Sequence, residues 1–154
     1  MSNSYEALHL DQQLCFPLYA ATNLIQQLYH PLLKPLGLTY SQYLVMMVLW
    51  QMSDDHTEIS ISDIRRRLKL DIGTLSPLLK RMEKAGHLSR KRSMKDERRV
   101  IVELTPQGQA LRKEAATVPA TIRAQLGSDN EELMTLKLKL NDLVKALSVA
   151  TEHV

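Results

Sequence analysis

Apolar residues recur near helical spacing between residues 11 and 34, at Leu14, Leu18, Ile25, Leu28 and Leu32, with glutamines between them. This predicts a first helix that Pro31, Pro35 and Gly37 bring to an end. Thr39 followed by Gln42 has capping-box spacing and opens a second helix over about 40–52. Tyr43, Leu44, Met46, Met47, Val48, Leu49 and Trp50 make that helix apolar almost all round, so it should be buried. A polar loop over 53–58 leads to Ile59-Ser60-Ile61, a short candidate strand, and Ser62 is placed to cap a short helix from Asp63 to Leu68. Asp71 is the best N-cap for the next helix, which runs to about Ala85 and stops at Gly86. Its apolar positions are Leu75, Leu78, Leu79 and Met82; Pro77 removes one backbone bond and crowds residue 73, where glycine gives room. His87–Lys91 and Val100–Leu104 read as strands around a charged hairpin loop. Thr105-Pro106 starts a long helix to about Gln125, Gly127 breaks it, and Ser128 with Glu131 opens a last helix to about Thr151.

A tri-helical unit followed by a hairpin is the winged helix-turn-helix layout. The expected fold class is mainly α with a small β-hairpin wing. Three segments are expected within one compact domain. Residues 1–38 form an N-terminal dimerisation and sensor helix, 39–105 the winged DNA-binding lobe, and 106–154 the C-terminal dimerisation helices. A second copy packed on the outer helices would set the spacing of two DNA-reading elements.

Composition changes this picture little, and charge distribution changes it more. Of 154 residues, 44% are hydrophobic and 24% charged, as in ordinary globular chains. The formal net charge is only +3, but residues 60–104 carry 13 Lys and Arg against 6 Asp and Glu, while the remainder is net acidic. A basic block of that kind is the electrostatic footprint of phosphate binding. No apolar run approaches the ~20 residues that span a bilayer, and residues 1–10 do not read as a secretory signal, so a cytoplasmic protein is expected. The single cysteine, Cys15, leaves no intramolecular disulfide. His9, His30, His56, His87 and His153 show no ligand spacing, and no glycine-rich phosphate loop appears. No metal, cofactor or enzymatic activity is expected.

Within the basic block, Asp71 and Gly73 shape the start of the candidate recognition helix. Thr74 and Ser76 offer short polar groups at its N-terminal end, where base edges are reached. Lys80, Arg81 and Lys84 follow one or two turns later, where phosphates pass. The hairpin adds Arg92, Lys95, Arg98 and Arg99, and an arginine at its tip suits the narrow minor groove. Asp96 stands two residues before Arg98 and is placed to orient that guanidinium through paired hydrogen bonds. Arg65, Arg66 and Arg67 are expected to face flanking backbone or help form the dimer.

The stretch from Leu70 to Gly86 resembles the recognition helix of MarR-type regulators. Asp96-Glu97-Arg98-Arg99, with Leu104-Thr105-Pro106-Gln107-Gly108 after it, resembles their wing and following helix start. The resemblance covers nearly the whole chain. It implies a homodimeric transcriptional repressor on a pseudo-palindromic double-stranded operator, with the recognition helix in the major groove and Arg98 in the minor groove.

By position alone Cys15 has two readings. A lone cysteine is commonly a small buried hydrophobe. A thiol near a helix N-terminus also faces the positive end of the helix dipole, which makes it more reactive. The segment Leu14-Cys15-Phe16-Pro17-Leu18-Tyr19-Ala20, with Tyr29 and Tyr40, is similar to the organic hydroperoxide regulator branch of the MarR family. That resemblance implies a peroxide-sensing Cys15 with Tyr19, Tyr29 and Tyr40 around it. Tyr29 follows Cys15 by 14 residues, a rise of about 21 Å on a straight helix. Tyr29 of one chain therefore reaches the thiol only of a partner chain. The implied signals are an organic hydroperoxide, which makes a sulfenic acid, and a small cellular thiol; with no second cysteine to resolve it, the sulfenic acid ends as a mixed disulfide with that thiol or by over-oxidation. Three alternatives stand beside this reading: a MarR-type repressor released by a small aromatic ligand with Cys15 structural, a thiol peroxidase, and a non-specific architectural DNA binder. Leu14, Phe16 and Pro17 around the cysteine, with no nearby arginine, speak against the peroxidase.

Overall fold

The computed structural model describes residues 5–127 and 129–152. Two single-turn 3-10 segments, Glu6–Leu8 and Leu10–Gln12, precede helix α1 (Cys15–Leu33). Helix α1 begins four residues later than the pattern suggests and ends at Leu33, close to the expected end, with Pro31 inside its last turn. A turn at Lys34–Leu36, closed by Gly37 in the left-handed region at φ 68°, ends it. Helix α2 (Tyr40–Asp54) starts at the expected capping box, with Thr39 accepting from the Gln42 N–H and Gln42 accepting from the Thr39 N–H at 3.0 Å. Tyr43, Val45, Met46, Val48, Leu49 and Trp50 are buried along it.

Strand β1 (Ile59–Ser60) is followed at once by helix α3 (Ile61–Leu68). Its cap is Ser60 and not Ser62, because the Asp63 carboxylate completes a capping box back onto the Ser60 N–H at 2.9 Å. Helix α4 (Ile72–Lys84) is capped by Asp71 as expected, and Gly86 at φ 83° ends the turn after it. Strands β2 (Leu88–Arg92) and β3 (Val100–Leu104) form the hairpin, and the sheet order is β1-β3-β2, antiparallel throughout. The register pairs Arg90 with Val102 and Arg92 with Val100.

Helix α5 (Pro106–Ala115) has the expected Thr105 cap but does not reach residue 125. It stops, and α6 (Val118–Leu126) begins after it. Pro119 lacks the N–H that would bond the residue 115 carbonyl, and its ring crowds that carbonyl, so one continuous helix is broken here. Gly127 ends α6 with φ 65°. The expected cap at Ser128 lies outside the described residues; helix α7 (Asn130–Thr151) is capped by Asp129, which accepts from the Glu132 N–H at 2.8 Å.

The chain divides into two compact units, one through Val118 and one from Pro119 onward. In the first, Val45, Met46, Ile64, Leu75, Leu79, Met82 and Ile101 close the core between α2, α3, α4 and the sheet. In the second, α7 buries none of its residues, and Met134, Leu136, Leu138, Val144, Leu147 and Val149 are exposed on it. Among the described residues no helix is long and apolar enough to cross a membrane.

The turn from α4 into β2 carries a buried histidine that the sequence does not mark. His87 is 7% exposed, and its Nδ1 has no partner among the described residues. Burial pushes its pKa below the ordinary 6.5. The folded state therefore holds a neutral imidazole that the unfolded chain protonates near pH 6.5. Stability contributed by neutral His87 is full above pH 6.5 and falls as pH drops through the window down to the lowered folded value. Urea midpoints should decline from pH 7.5 to 5.5 in wild type and decline less in His87→Gln. Equal declines in the two would remove His87 as the cause.

Candidate functional site

Helix α4 presents two faces. Leu75, Leu78, Leu79 and Met82 are buried against the core, while Gly73, Thr74, Ser76, Lys80, Arg81 and Lys84 are exposed. Asp71 does more than cap. Its Oδ1 accepts the Thr74 N–H at 2.8 Å and its Oδ2 accepts the Thr74 hydroxyl at 2.8 Å. These bonds hold the Asp71 carboxyl below the usual carboxylate range, the Thr74 hydroxyl first among the causes. They also leave Thr74 with lone pairs alone for any base edge, so it can accept but not donate.

The wing tip is a built turn. Ser93 is buried, and its Oγ accepts the N–H groups of Lys95 at 3.2 Å and Asp96 at 3.3 Å. Its own N–H donates to the Arg99 carbonyl at 2.9 Å. Asp96 Oδ1 accepts the Arg98 N–H at 3.1 Å and the Arg98 Nε at 3.3 Å. The contact expected to be a paired carboxylate–guanidinium bond is thus one Nε contact, with the second donor taken from the backbone. The Arg98 side chain is otherwise 92% exposed at the tip. Arg92 braces the loop by donating to the Glu97 carbonyl at 3.1 Å, and Lys95 is exposed beside it.

Not every arginine of the basic block is free for phosphate. Asp63 Oδ2 accepts Arg99 at 2.9 Å and the Ser60 hydroxyl at 2.7 Å, while its Oδ1 accepts Arg66 at 2.6 Å. Hydrogen bonds from Ser60 lead the causes that hold the Asp63 carboxyl low. One carboxylate thus caps α3 and ties the foot of the wing to it. Arg90 binds Glu83 through Nε at 3.1 Å and a terminal nitrogen at 2.8 Å, fixing β2 to α4. Arg67 is bonded to Gln51. Arg66, Arg67, Arg90 and Arg99 therefore serve as internal struts; the block's exposed cations without such a strut are Arg65 and Lys69 at α3 and those of α4 and the wing tip. Counting charges along the chain could not separate the two sets, because the carboxylate partners lie up to 36 residues away.

The start of α5 locks onto the turn that joins α4 to the wing. Thr105 Oγ1 donates to the Gly86 carbonyl at 2.5 Å, and its N–H donates to the His87 carbonyl at 3.2 Å. The Gly108 carbonyl accepts the Trp50 Nε1–H at 3.0 Å. A Cβ on Gly108 would stand 1.9 Å from the His87 oxygen, so only glycine permits this approach.

Cys15 is the first residue of α1 and is exposed within the chain, so the buried-hydrophobe reading does not describe it. Tyr19 lies one turn on and is also exposed. Tyr29, near the other end of the same unbroken helix, packs in tilted ring contacts against Tyr40 at the start of α2, centroids 4.9 Å apart, and against Tyr43 at 5.8 Å. The structure thus brings Tyr29 and Tyr40 together and leaves Cys15 of the same chain apart from both. Burial raises the pKa of all three tyrosines, with Tyr43 pushed up to about 12, so each hydroxyl keeps its proton at neutral pH. Among the described residues, no hydrogen bond occupies the Tyr29 or Tyr40 hydroxyl. Tyr43 belongs to this cluster and was read from sequence only as core.

Known proteins resemble this chain over most of its length. The family model described as transcriptional regulator SarA/Rot matches residues 27–115. The organic hydroperoxide resistance transcriptional regulator of Bacillus subtilis is 40% identical over 96% of this chain and 97% of that protein. AbfR, a protein of Staphylococcus epidermidis, supplies two solved relatives. Its reduced form bound to DNA aligns with a TM-score of 0.72 at 33% identity, over 92% of this chain and 96% of that one. Its overoxidized form bound to DNA aligns with a TM-score of 0.70 at 34% identity, over 92% and 97%.

Proposed function

The chain belongs to the MarR-type family of winged-helix transcriptional regulators, in the branch of the organic hydroperoxide resistance regulator, and we propose that it is a homodimeric repressor released from DNA when Cys15 is oxidised. The observation that carries the DNA-binding part is the segregation of cations. After the internal ion pairs are set aside, Lys80, Arg81, Lys84, Lys95 and Arg98 remain on the recognition helix and the wing tip. A relative of similar fold bound to DNA supports the same reading. The helix enters the major groove, and Arg98 reaches the minor groove next to it. A second copy is called for by the exposed apolar length of α7 and by Leu14, Leu24 and Phe16 around α1, more than a monomer leaves in water.

The tyrosine geometry supports the sensor. Two protonated hydroxyls without partners stand at one end of α1, and the thiol stands at the other, about 21 Å of helix away. An antiparallel meeting of two copies brings the thiol of one chain to the tyrosines of the other. The Cys15 thiolate attacks one peroxide oxygen, the O–O bond breaks, and the other oxygen leaves and takes a proton as the alcohol. The sulfur is now a sulfenic acid. A small thiol then forms an S–S bond with it, and the sulfenic oxygen departs as water. Of the two fates open to a lone cysteine, the mixed disulfide is the releasing one here, because overoxidized AbfR is a DNA-bound form. The bulk added at Cys15 pushes the two subunits, and with them the two recognition helices, out of register with the operator.

A mobility titration on a duplex selected from a random pool tests the proposal, with and without organic hydroperoxide plus thiol. Intact mass should rise by one thiol adduct as DNA is lost; loss of DNA at unchanged mass would point to a bound aromatic ligand instead. In the reduced protein, Arg98→Ala should weaken binding roughly tenfold and lower the salt slope by about one per half-site. An unchanged slope would place Arg98 away from the DNA.

A further inference from the structure

We propose that Ile72 reads the 5-methyl group of a thymine in the major groove and so sets one base identity in each half-site. The proposal rests on the DNA-binding reading above and adds to it a residue that the polar contacts do not supply. Ile72 is the first residue of α4 and is 56% exposed. By helical spacing it continues the buried stripe of Leu75, Leu79 and Met82, but the core ends at Leu75, and the helix carries Ile72 one turn beyond it. On the outer surface, Ile72, Ser76 and Lys80 follow each other at four-residue intervals, one above the other. That row runs from the N-terminal end, where base edges are met, to a lysine at the height of the backbone.

The neighbours of Ile72 leave a gap in the chemistry of readout. Gly73 has no side chain to offer. The Thr74 hydroxyl already donates its hydrogen bond to Asp71 at 2.8 Å. Ser76 is the one remaining short donor in the first two turns. Ile72 is then the largest side chain at this end of the helix, and it is wholly apolar. In the major groove the one apolar group that projects from a base pair is the thymine 5-methyl; apart from ring C–H groups, the rest of the edge is hydrogen-bond donors and acceptors. An isoleucine exposed in the free protein gains from being covered there, and covering it against a cytosine edge would strip water from a donor without replacing it.

The test replaces single thymines with deoxyuridine, which removes the methyl and keeps the base pairing. Duplexes are first selected from a random pool with the wild-type protein. Each thymine is then exchanged symmetrically in both half-sites, and affinities are measured for wild type and Ile72→Ala. One position should cost wild type about fourfold per half-site, the worth of one buried methyl. Ile72→Ala should bind the thymine and uracil duplexes equally at that position. If no uracil position weakens wild type, or if the sensitive position stays equally sensitive in Ile72→Ala, the inference is overturned while DNA binding stands. Failure to enrich any duplex would overturn both. Wild type alone can overturn the inference, if no uracil position weakens it; the variant is what assigns a sensitive position to Ile72, whose exposure makes its loss tolerable to the fold.

Discussion

A Cys15→Ser chain is expected to hold its operator as tightly as wild type when reduced, and to go on holding it after organic hydroperoxide and thiol are added. Wild type under the same treatment should lose affinity roughly 5–150-fold, the range of ordinary coupling between a signal site and a DNA site. Cys15 is the sole thiol of the chain, so no other residue can form the mixed disulfide. Serine keeps the size of the side chain and removes the nucleophile. Because Cys15 is exposed at the first position of α1, the exchange disturbs no packing within the chain. The comparison therefore reads sulfur chemistry and not folding. A serine chain that still released DNA in hydroperoxide would transfer the sensor elsewhere. The first place to look would be Met94, 98% exposed on the wing itself and open to sulfoxide formation.

Gly108→Ala should be the most destabilising single methyl in the compact unit that ends at Val118. The new Cβ meets the His87 carbonyl oxygen at 1.9 Å and its carbon at 2.9 Å, both backbone atoms that no rotamer change can move. Relief requires α5 to retreat from the turn between α4 and β2. That retreat stretches the buried Trp50-to-Gly108 bond of 3.0 Å and the Thr105 contacts on Gly86 and His87. Over-packing plus a weakened buried hydrogen bond is worth about 3 kcal/mol or more, a large share of the 5–15 kcal/mol that holds a typical domain. Thermal unfolding should shift down by about 10 °C. DNA affinity should fall as well, because the same turn sets the angle between α4 and the wing. An alanine chain as stable as wild type would mean that α5 is not seated on this turn.

Much of the fold was legible along the chain because its signals are local. The Thr39 and Gln42 capping box, the Asp71 cap, Gly86 and the Thr105-Pro106 start each act within four residues, and each element begins or ends where they indicate. The errors came where a local signal had a stronger rival. Ser62 looked like a cap, but Ser60 won because Asp63 reaches back to it. The long helix to residue 125 ignored Pro119, which divides it.

For the site, residue types and spacing were enough to nominate the polar start of α4 and the arginines of the wing, while Cys15 as a sensor and the tyrosines came from the family resemblance. Helical rise alone was enough to separate Cys15 from Tyr29 in one chain. What tertiary structure decided is which of these groups are already committed. Asp63, 36 residues before Arg99, takes that arginine away from phosphate, and Glu83 takes Arg90. Asp71 turns the Thr74 hydroxyl from a donor into an acceptor. The end of the core at Leu75 leaves Ile72, a residue that continues the buried stripe, standing in the reading surface. The physical reason is common to the arginines and Ile72, whereas the Asp71–Thr74 bond spans three residues and rests on side-chain placement alone. A sequence records what a side chain can bond to, but the partner that satisfies it is chosen by distances between elements far apart along the chain. The basic block was therefore visible in the sequence as a footprint for DNA, and only folding sorted it into struts and contacts.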